Sequence, residues 1–438
     1  MGYVEAMGWR DDTIFKRLLR NAGLLLGGKA ANALLSLGAL AITARALGPQ
    51  GLGALVLLHG LVQVVAELAK FQSWQGVVRF GAAELNGGAA ARELPRLLSF
   101  SLLLDGAAIL AGLGFLEALG PLLARRLDWP AEVAALLPLY ATVVVGLVPG
   151  TASGVLRLYD RFDLLAAQSA CGNAVRLMGA GVAWGLDGGL AAFALVWWGA
   201  AMVAGLLPFV LAPRELARRH LRCHFRWPSG IRARHPGILR FFLLTSANAV
   251  IALAPSHLAV LVVGSLLGAA PAGLFRVAKQ IADAAAKPAE FLAQALYPEA
   301  ARLDAGGRRA CLRQMLSRLA VVTSGLAAAA IAFIFVFGSG LIALVAGQAF
   351  VAAAPVMNLL VVAAALVMAA APLEPILIAI GAAGQVVAVK AVIAVLHLLL
   401  LLALARQWGL EGVGWAALAA ALLSFALLWL MARQRLRR

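Results

Sequence analysis

Apolar stretches of about twenty residues recur along the whole chain with short polar connections between them, and this recurrence constrains the fold more than any other feature. A helix needs ~20 apolar residues to cross a hydrocarbon layer of ~30 Å. Inside lipid each backbone polar group must be satisfied internally, so stretches of this length predict spanning α-helices. With 63% of its 438 residues hydrophobic and 13% charged, the chain carries more apolar surface than a water-soluble core could hide. The expected fold class is all-α and integral to the membrane.

The spans fall near 22–46, 51–74, 96–120, 131–156, 164–186, 188–212, 239–266, 272–297, 314–337, 352–380, 385–406 and 411–432, about twelve transmembrane helices. The segment ahead of the first is charged and amphipathic, so no cleavable signal is expected and the first span serves for insertion. Arg10, Lys16, Arg17 and Arg20 precede that span, and Arg433, Arg435, Arg437 and Arg438 follow the last. The positive-inside rule then puts both termini of this multi-pass chain in the cytoplasm. Every second connection agrees: Arg92 and Arg96, then Arg157 and Arg161, then the run Arg214 to Arg240, then Arg302, Arg308, Arg309 and Arg313. Arg125, Arg126 and Arg406 run against the pattern and are partly offset by Asp128 and Glu411.

Topology therefore accounts for the net charge of +17, and no nucleic acid is an expected partner. Cys171, Cys223 and Cys311 stand alone without CxxC spacing, so neither a zinc site nor a disulfide framework is indicated, and no metal or cofactor is expected.

The longest connection, 213–238, is dense in arginine and too short for a catalytic domain. It divides the chain into a cytoplasmic segment 1–21, a six-span lobe 22–212, the basic linker 213–238, a second six-span lobe 239–432 and a basic tail 433–438. An internal echo supports the division: ALGPQGLGALVLLHGLVQVVAELAKFQSWQGVVRFGAAEL (46–85) returns weakly as LLGAAPAGLFRVAKQIADAAAKPAEFLAQALYPEAARL (266–303). Six spans per half in the same orientation make a parallel repeat, which favours a substrate site between the halves near mid-membrane.

NAGLLLGGKAANALLSLGALAITARALGPQGLGAL (21–55), followed by VVRFGAAEL (77–85), resembles the opening of bacterial polysaccharide flippases (Wzx-like) of the multidrug/oligosaccharidyl-lipid/polysaccharide (MOP) exporter superfamily. The segment 352–385 resembles that family's tenth and eleventh spans. The resemblance covers nearly the whole chain and implies a V-shaped transporter of two pseudo-symmetric six-helix lobes, MATE-like in fold. It further implies an undecaprenyl-diphosphate-linked oligosaccharide as cargo, polysaccharide polymerase or export machinery as partners, and a monomer.

Ionisable groups at bilayer depth are costly, so each is a functional candidate. In the eighth span Arg276, Lys279, Asp283, Lys287 and Glu290 are spaced 3, 4, 4 and 3 apart, one stripe of a helix that is not expected to face lipid. Asp283 can neutralise Lys279 or Lys287 as an i,i+4 partner, yet three bases exceed two acids, so the stripe offers an anion an uncompensated charge. The second span repeats the device with His59, Gln63, Glu67 and Lys70. His59 could titrate near neutral pH and couple flipping to a proton gradient, or simply pack with a hydrogen bond. Lys29, Asn32, Ser36 and Thr43 share a face of the first span, where Lys29 could equally snorkel to the interface. Arg176 lies near the centre of the fifth span with Asn173 and Ser169 along its face. Substrate contact is thus expected from Arg276, Lys279, Arg176, Lys29, Lys70, Asn32 and Asn173. Gating or coupling is expected from Asp283, Glu67, His59, Lys287, Glu290 and Glu374, the last bracketed by Pro372 and Pro375.

These features favour a flippase working by alternating access, not an enzyme. A lipid II flippase resembles the chain in its cationic first, second and eighth spans but usually carries two more helices. A multidrug extruder shares twelve helices, yet a cationic cargo calls for an acid-dominated cavity. A membrane polymerase or glycosyltransferase would need a sizeable external or acidic loop, which the chain lacks.

Overall fold

The computed structural model describes residues 12–437 apart from 87–89, 127–128, 222–224, 254–256 and 306–308. Side chains are described except at 12–30, 86, 90–92, 126, 248, 251–253, 288–305, 309–315, 379, 383 and 436–437. Among the described residues every regular element is a helix. In chain order these are α1 (Asp12–Ala69), α2 (Ser73–Asn86), α3 (Ala90–Arg126), α4 (Ala131–Ala141), α5 (Val143–Leu147), α6 (Gly150–Leu158), α7 (Phe162–Gly185), α8 (Leu190–Arg218) and α9 (Ile231–Arg234). There follow α10 (Ile238–Leu253), α11 (Ala259–Leu267), α12 (Ala269–Ala305), α13 (Arg309–Ala346), a 3₁₀ turn (Gln348–Ala353), α14 (Ala354–Ala370), α15 (Leu373–Ala379) and α16 (Ala383–Arg437).

Two of these helices are hairpins. Gly48 breaks α1 at φ 63°, ψ −178°, and Gly409 breaks α16 at φ 60°, ψ −137°, backbone positions that suit glycine. The Arg435 guanidinium donates to Gln385 Oε1 at 3.2 Å, although a straight helix would hold residues so far apart in sequence roughly 75 Å apart. In α1, Asn32 meets Asn173, while Arg176, one turn further along α7, shares a cavity with His59. Residues on either side of Gly48 therefore lie at similar depth. With the hairpins divided and the broken runs α1–α2, α4–α6, α10–α11 and α14–α15 joined, the helices make the twelve expected passes.

Among the described residues six helices are long and apolar enough to cross a membrane, two of them the hairpins, and the bent α4–α6 run adds a seventh, which together account for nine of the twelve passes. The other three, α7, α10–α11 and α12, carry Arg176, His257 and the stripe that begins at Arg276.

Span four breaks because Pro149 has no N–H to continue the helix, and Val148 leaves helical geometry at φ −117°, ψ 53°. The N-terminus of α6 restarts on a buried carboxylate from α3. Thr151 donates to Asp105 Oδ2 through both its N–H and its hydroxyl at 2.7 Å, and Ser73 donates to Oδ1. A Cβ at Gly150 would lie 1.9 Å from Ser73 Oγ, so only glycine fits there.

The passes form a two-lobed arrangement. Helices α1–α8 pack among themselves, as do α11–α16; α10 lies against α1, α2 and α16, and α1 against α12 is the main contact joining the lobes. The closest approach is at the end of the bundle where Gly48, Gly268 and Gly409 turn the chain, here called the turn end. A Cβ at Gly53 would lie 1.7 Å from the Ala269 carbonyl oxygen, and one at Gly273 would lie 2.2 Å from the Pro49 oxygen. The two contacts are reciprocal, and Gly48 and Gly268 both turn with positive φ and ψ near 180°. A second echo, WGLDG (184–188) and WGLEG (408–412), marks the turns after α7 and within α16.

One buried apolar cluster runs through both lobes, from Leu52 and Leu55 to Phe275 and Val356. Toward the opposite, arginine-rich end the core divides. Val77, Leu97, Leu156 and Phe242 belong to one cluster, while Leu377, Val386 and Leu428 belong to another. The lobes thus share a core at the turn end; at the basic end α10 joins the first-lobe cluster, while α15 and α16 hold a separate one.

Candidate functional site

Where the two lobes diverge, a cavity of about 130 Å³ opens between them. Val56, His59, Gly60 and Gln63 of α1, Arg176 of α7 and Trp197 of α8 line it from the first lobe; His257, Val260 and Arg276 line it from the second. Its charged side chains are all cationic, and no carboxylate reaches it. A larger cavity of about 330 Å³ at the turn end, beside Gln50, Trp129 and Ser265, is lined by no charged side chain.

Aromatic packing sets the orientation of the first-lobe groups. His59 Nδ1 and the buried Tyr140 hydroxyl of α4 are 2.9 Å apart, and the imidazole stands edge-on to Trp197 with centroids 5.3 Å apart. The Arg176 guanidinium lies 4.5 Å from the centroid of that same indole. This cation–π contact fixes the arginine without neutralising it. Buried Arg176 Nε and Trp197 Nε1 both lack a hydrogen-bond partner. Arg176 and Arg276 lie within electrostatic reach of each other and of His59, and among the described residues neither forms an ion pair. Asp283 attracts Arg276 only from a distance and neither arginine has a carboxylate in bonding contact among the described residues, so an arriving anion would relieve part of the cost of burying them.

The other expected residues fall into three groups. Asn173 donates to Asn32 Oδ1 at 2.7 Å, so these two amides satisfy each other between α7 and α1. Lys70 bonds Glu67, Lys279 bonds Asp283 at 3.0 Å, and Lys390 bonds Glu374 at 2.5 Å. Asp283 is 52% exposed, which for a carboxylate within the bundle signals a wet cleft and not a lipid-facing surface. Lys287 is half-buried and has no ion-pair partner among the described residues. Lys29 and Glu290 belong to α1 and α12, and their side chains lie outside the described residues.

Sequence reasoning missed Tyr140, Trp197, His257 and His397. His257 lies where α10 gives way to α11, within reach of Arg276, Glu67, Lys279 and Lys70. The sequence signal was a polar ring inside an apolar run next to Pro255. His397 is buried on α16 with Nε2 unpartnered, within reach of Lys279. Tyr140 and Trp197 gave no signal apart from ordinary aromatic content.

The basic end is knitted by ion pairs. Arg234 of α9 holds buried Glu84 of α2 through two bonds of 3.0 and 2.9 Å, and His235 approaches the same carboxylate at 3.3 Å. These hydrogen bonds hold the Glu84 carboxyl below the usual carboxylate range. Arg161 bridges Asp163 and Glu215.

No protein-family model matches the sequence. Among solved structures, an inward-facing multidrug resistance MATE family transporter of the MOP superfamily matches with TM-score 0.72 and 16% identity, over 92% of this chain and 95% of that one. The lipid II flippase MurJ in its inward closed conformation matches with TM-score 0.72 and 12% identity, over 94% of this chain and 87% of that one. In sequence, the inner membrane protein YghQ of Escherichia coli (strain K12) is 32% identical over 350 residues, which is 79% of this chain and 97% of that protein. The helical, two-lobed MOP fold and the relation to an inner membrane protein agree, and the chain belongs to the family of the inner membrane protein YghQ.

Proposed function

We propose that this protein flips an undecaprenyl-diphosphate-linked oligosaccharide from the inner to the outer leaflet of a bacterial inner membrane by alternating access. The observation that carries the reading is the cavity between the lobes, where Arg176 and Arg276 face a partly open space lined by no carboxylate. A diphosphate headgroup meets a slab of hydrocarbon that penalises each charge, and paired guanidinium donors lower that barrier with charge-assisted bonds. In this reading the lobes are 22–212 and 239–432, the basic end with 213–238 and both termini is cytoplasmic, and Lys70, Lys279 and Lys29 line the approach. No covalent chemistry is required.

A multidrug antiporter with this fold is the second reading, favoured by the MATE likeness. It is disfavoured by the cavity, because two uncompensated arginines repel a cationic drug. The lipid II reading, favoured by the MurJ likeness, shares the anionic headgroup and differs in the sugar.

Deletion of the gene followed by analysis of lipid extracts tests the proposal. The expected result is accumulation of an undecaprenyl-linked oligosaccharide on the inner leaflet with loss of external polysaccharide. Unchanged lipid pools with new sensitivity to cationic dyes would overturn it in favour of drug export. A fluorescent protein fused after Arg438 tests the orientation, since it should fluoresce while an alkaline phosphatase fusion stays inactive.

A further inference from the structure

The reciprocal contact of Gly53 with Ala269 and Gly273 with Pro49 fixes a register of 220 residues between α1 and α12. From each glycine a stripe with a seven-residue repeat runs toward the basic end. On α1 it passes through Gly53, Gly60 and Glu67, interleaved with Val56, Gln63 and Lys70; on α12 through Gly273, Gln280 and Lys287, interleaved with Arg276, Asp283 and Glu290. The Lys70 N–H still bonds the Ala66 oxygen at 3.0 Å, so the helical register persists to the end of the first stripe. Such a repeat is the seam of a parallel two-stranded coil, in which equivalent positions of the two helices face each other.

At the basic end the equivalent positions carry inverted charges: Glu67 corresponds to Lys287, and Lys70 to Glu290. The seam is closed only at the turn end. Toward the basic end the apolar core has split in two, Glu67 pairs with Lys70 on its own helix, and Lys287 has no ion-pair partner among the described residues. The two stripes still converge on one place, since Glu67 and Lys70 from one side and Arg276 and Lys279 from the other all reach His257.

We propose that these stripes are an inner gate that zips shut along the 220-residue register, Glu67 exchanging its bond to Lys70 for Lys287. Two lobes with matching charges at these positions would repel on closing; inverted charges make the closed cleft self-complementary and fix its register. The inference rests on the alternating-access part of the reading above and not on the identity of the cargo.

Cross-linking of the full chain in lipid vesicles, with Cys171, Cys223 and Cys311 replaced by alanine, tests it without any cargo. Under copper phenanthroline, Glu67→Cys with Lys287→Cys should form an intramolecular disulfide in most molecules. Leu68→Cys with Lys287→Cys should form under a tenth as much, because Leu68 is 58% exposed beside the seam. Gln385→Cys with Arg435→Cys serves as the positive control, its side chains already touching. A cross-linked control pair without a cross-linked 67–287 pair overturns the zipper. In cells, Lys287→Glu should lower export at least tenfold, and adding Glu67→Lys should restore it to within about threefold. A double variant as poor as the single one, at equal inserted amount, also overturns the proposal. Cross-linking at 67–287 without any oligosaccharide phenotype would retain the gate and reject the cargo.

Discussion

The Arg176 guanidinium lies 4.5 Å from the centroid of the Trp197 ring, and that ring in turn meets the edge of His59. A stacked arginine keeps its full charge and loses the rotamer freedom that would let it swing away from a ligand. Rigid cations facing a cavity suit recognition of a phosphate more than structural bracing.

Replacing Arg176 or Arg276 by glutamine should therefore act on transport and not on folding. A hydrogen bond to a charged group is worth about 1.5–3 kcal/mol, so each change should reduce export about tenfold or more. Quantitative blotting of membranes should show unaltered protein, and a matching drop in protein would assign the arginines to structure.

Tyr140→Phe removes the hydroxyl that His59 Nδ1 meets. Leaving a buried polar group unsatisfied costs about 1–3 kcal/mol. The detergent-solubilised variant should melt several degrees lower, whereas Tyr140→Phe combined with His59→Phe should recover part of the loss.

Gly53→Val forces a branched side chain against the Ala269 carbonyl. Overpacking of this kind costs about 1–3 kcal/mol, and the lobes have no slack at a backbone contact. Size-exclusion profiles should show less folded monomer, with Gly273→Val giving the same defect and Gly114→Val, where a Cβ meets nothing, giving none.

The Glu84 carboxyl is held low by Arg234, so its stabilising effect is present above the ordinary carboxylate range and is lost as pH falls through the lowered value. Between neutral pH and the ordinary carboxylate range, the melting temperature should owe nothing to titration of Glu84. Below that range it should fall more steeply in wild type than in Glu84→Gln, which should already be less stable at neutral pH. Parallel melting curves across acid pH would refute the role given to this pair.

Much of the fold was legible because its signals are local. Hydropathy marks each span, and Gly48 with Pro49, or Gly409, marks the turn between two of them. The spacing of Arg276, Lys279 and Asp283 told which side of α12 avoids lipid, but not that Arg276 faces a cavity while Lys279 is occupied by Asp283. Partners such as Tyr140 for His59, or Trp197 for Arg176, come from other passes and depend on packing that no periodicity encodes. Asn32 and Asn173 illustrate the same limit, since each looked available on its own helix and the fold brings them together.

Two long helices, α7 and α12, fall short in hydropathy, and they bear Arg176 and the Arg276 stripe. A segment of that kind partitions poorly from the translocon into bare lipid, where a centrally placed arginine or aspartate costs about 2.5–3.5 kcal/mol. Biogenesis is then ordered: α12 has to be retained beside the protein-conducting channel until α1 and α14 are present to shelter its charges. The cationic site is thus purchased during synthesis, and quality-control proteolysis should act first on chains stalled at α12.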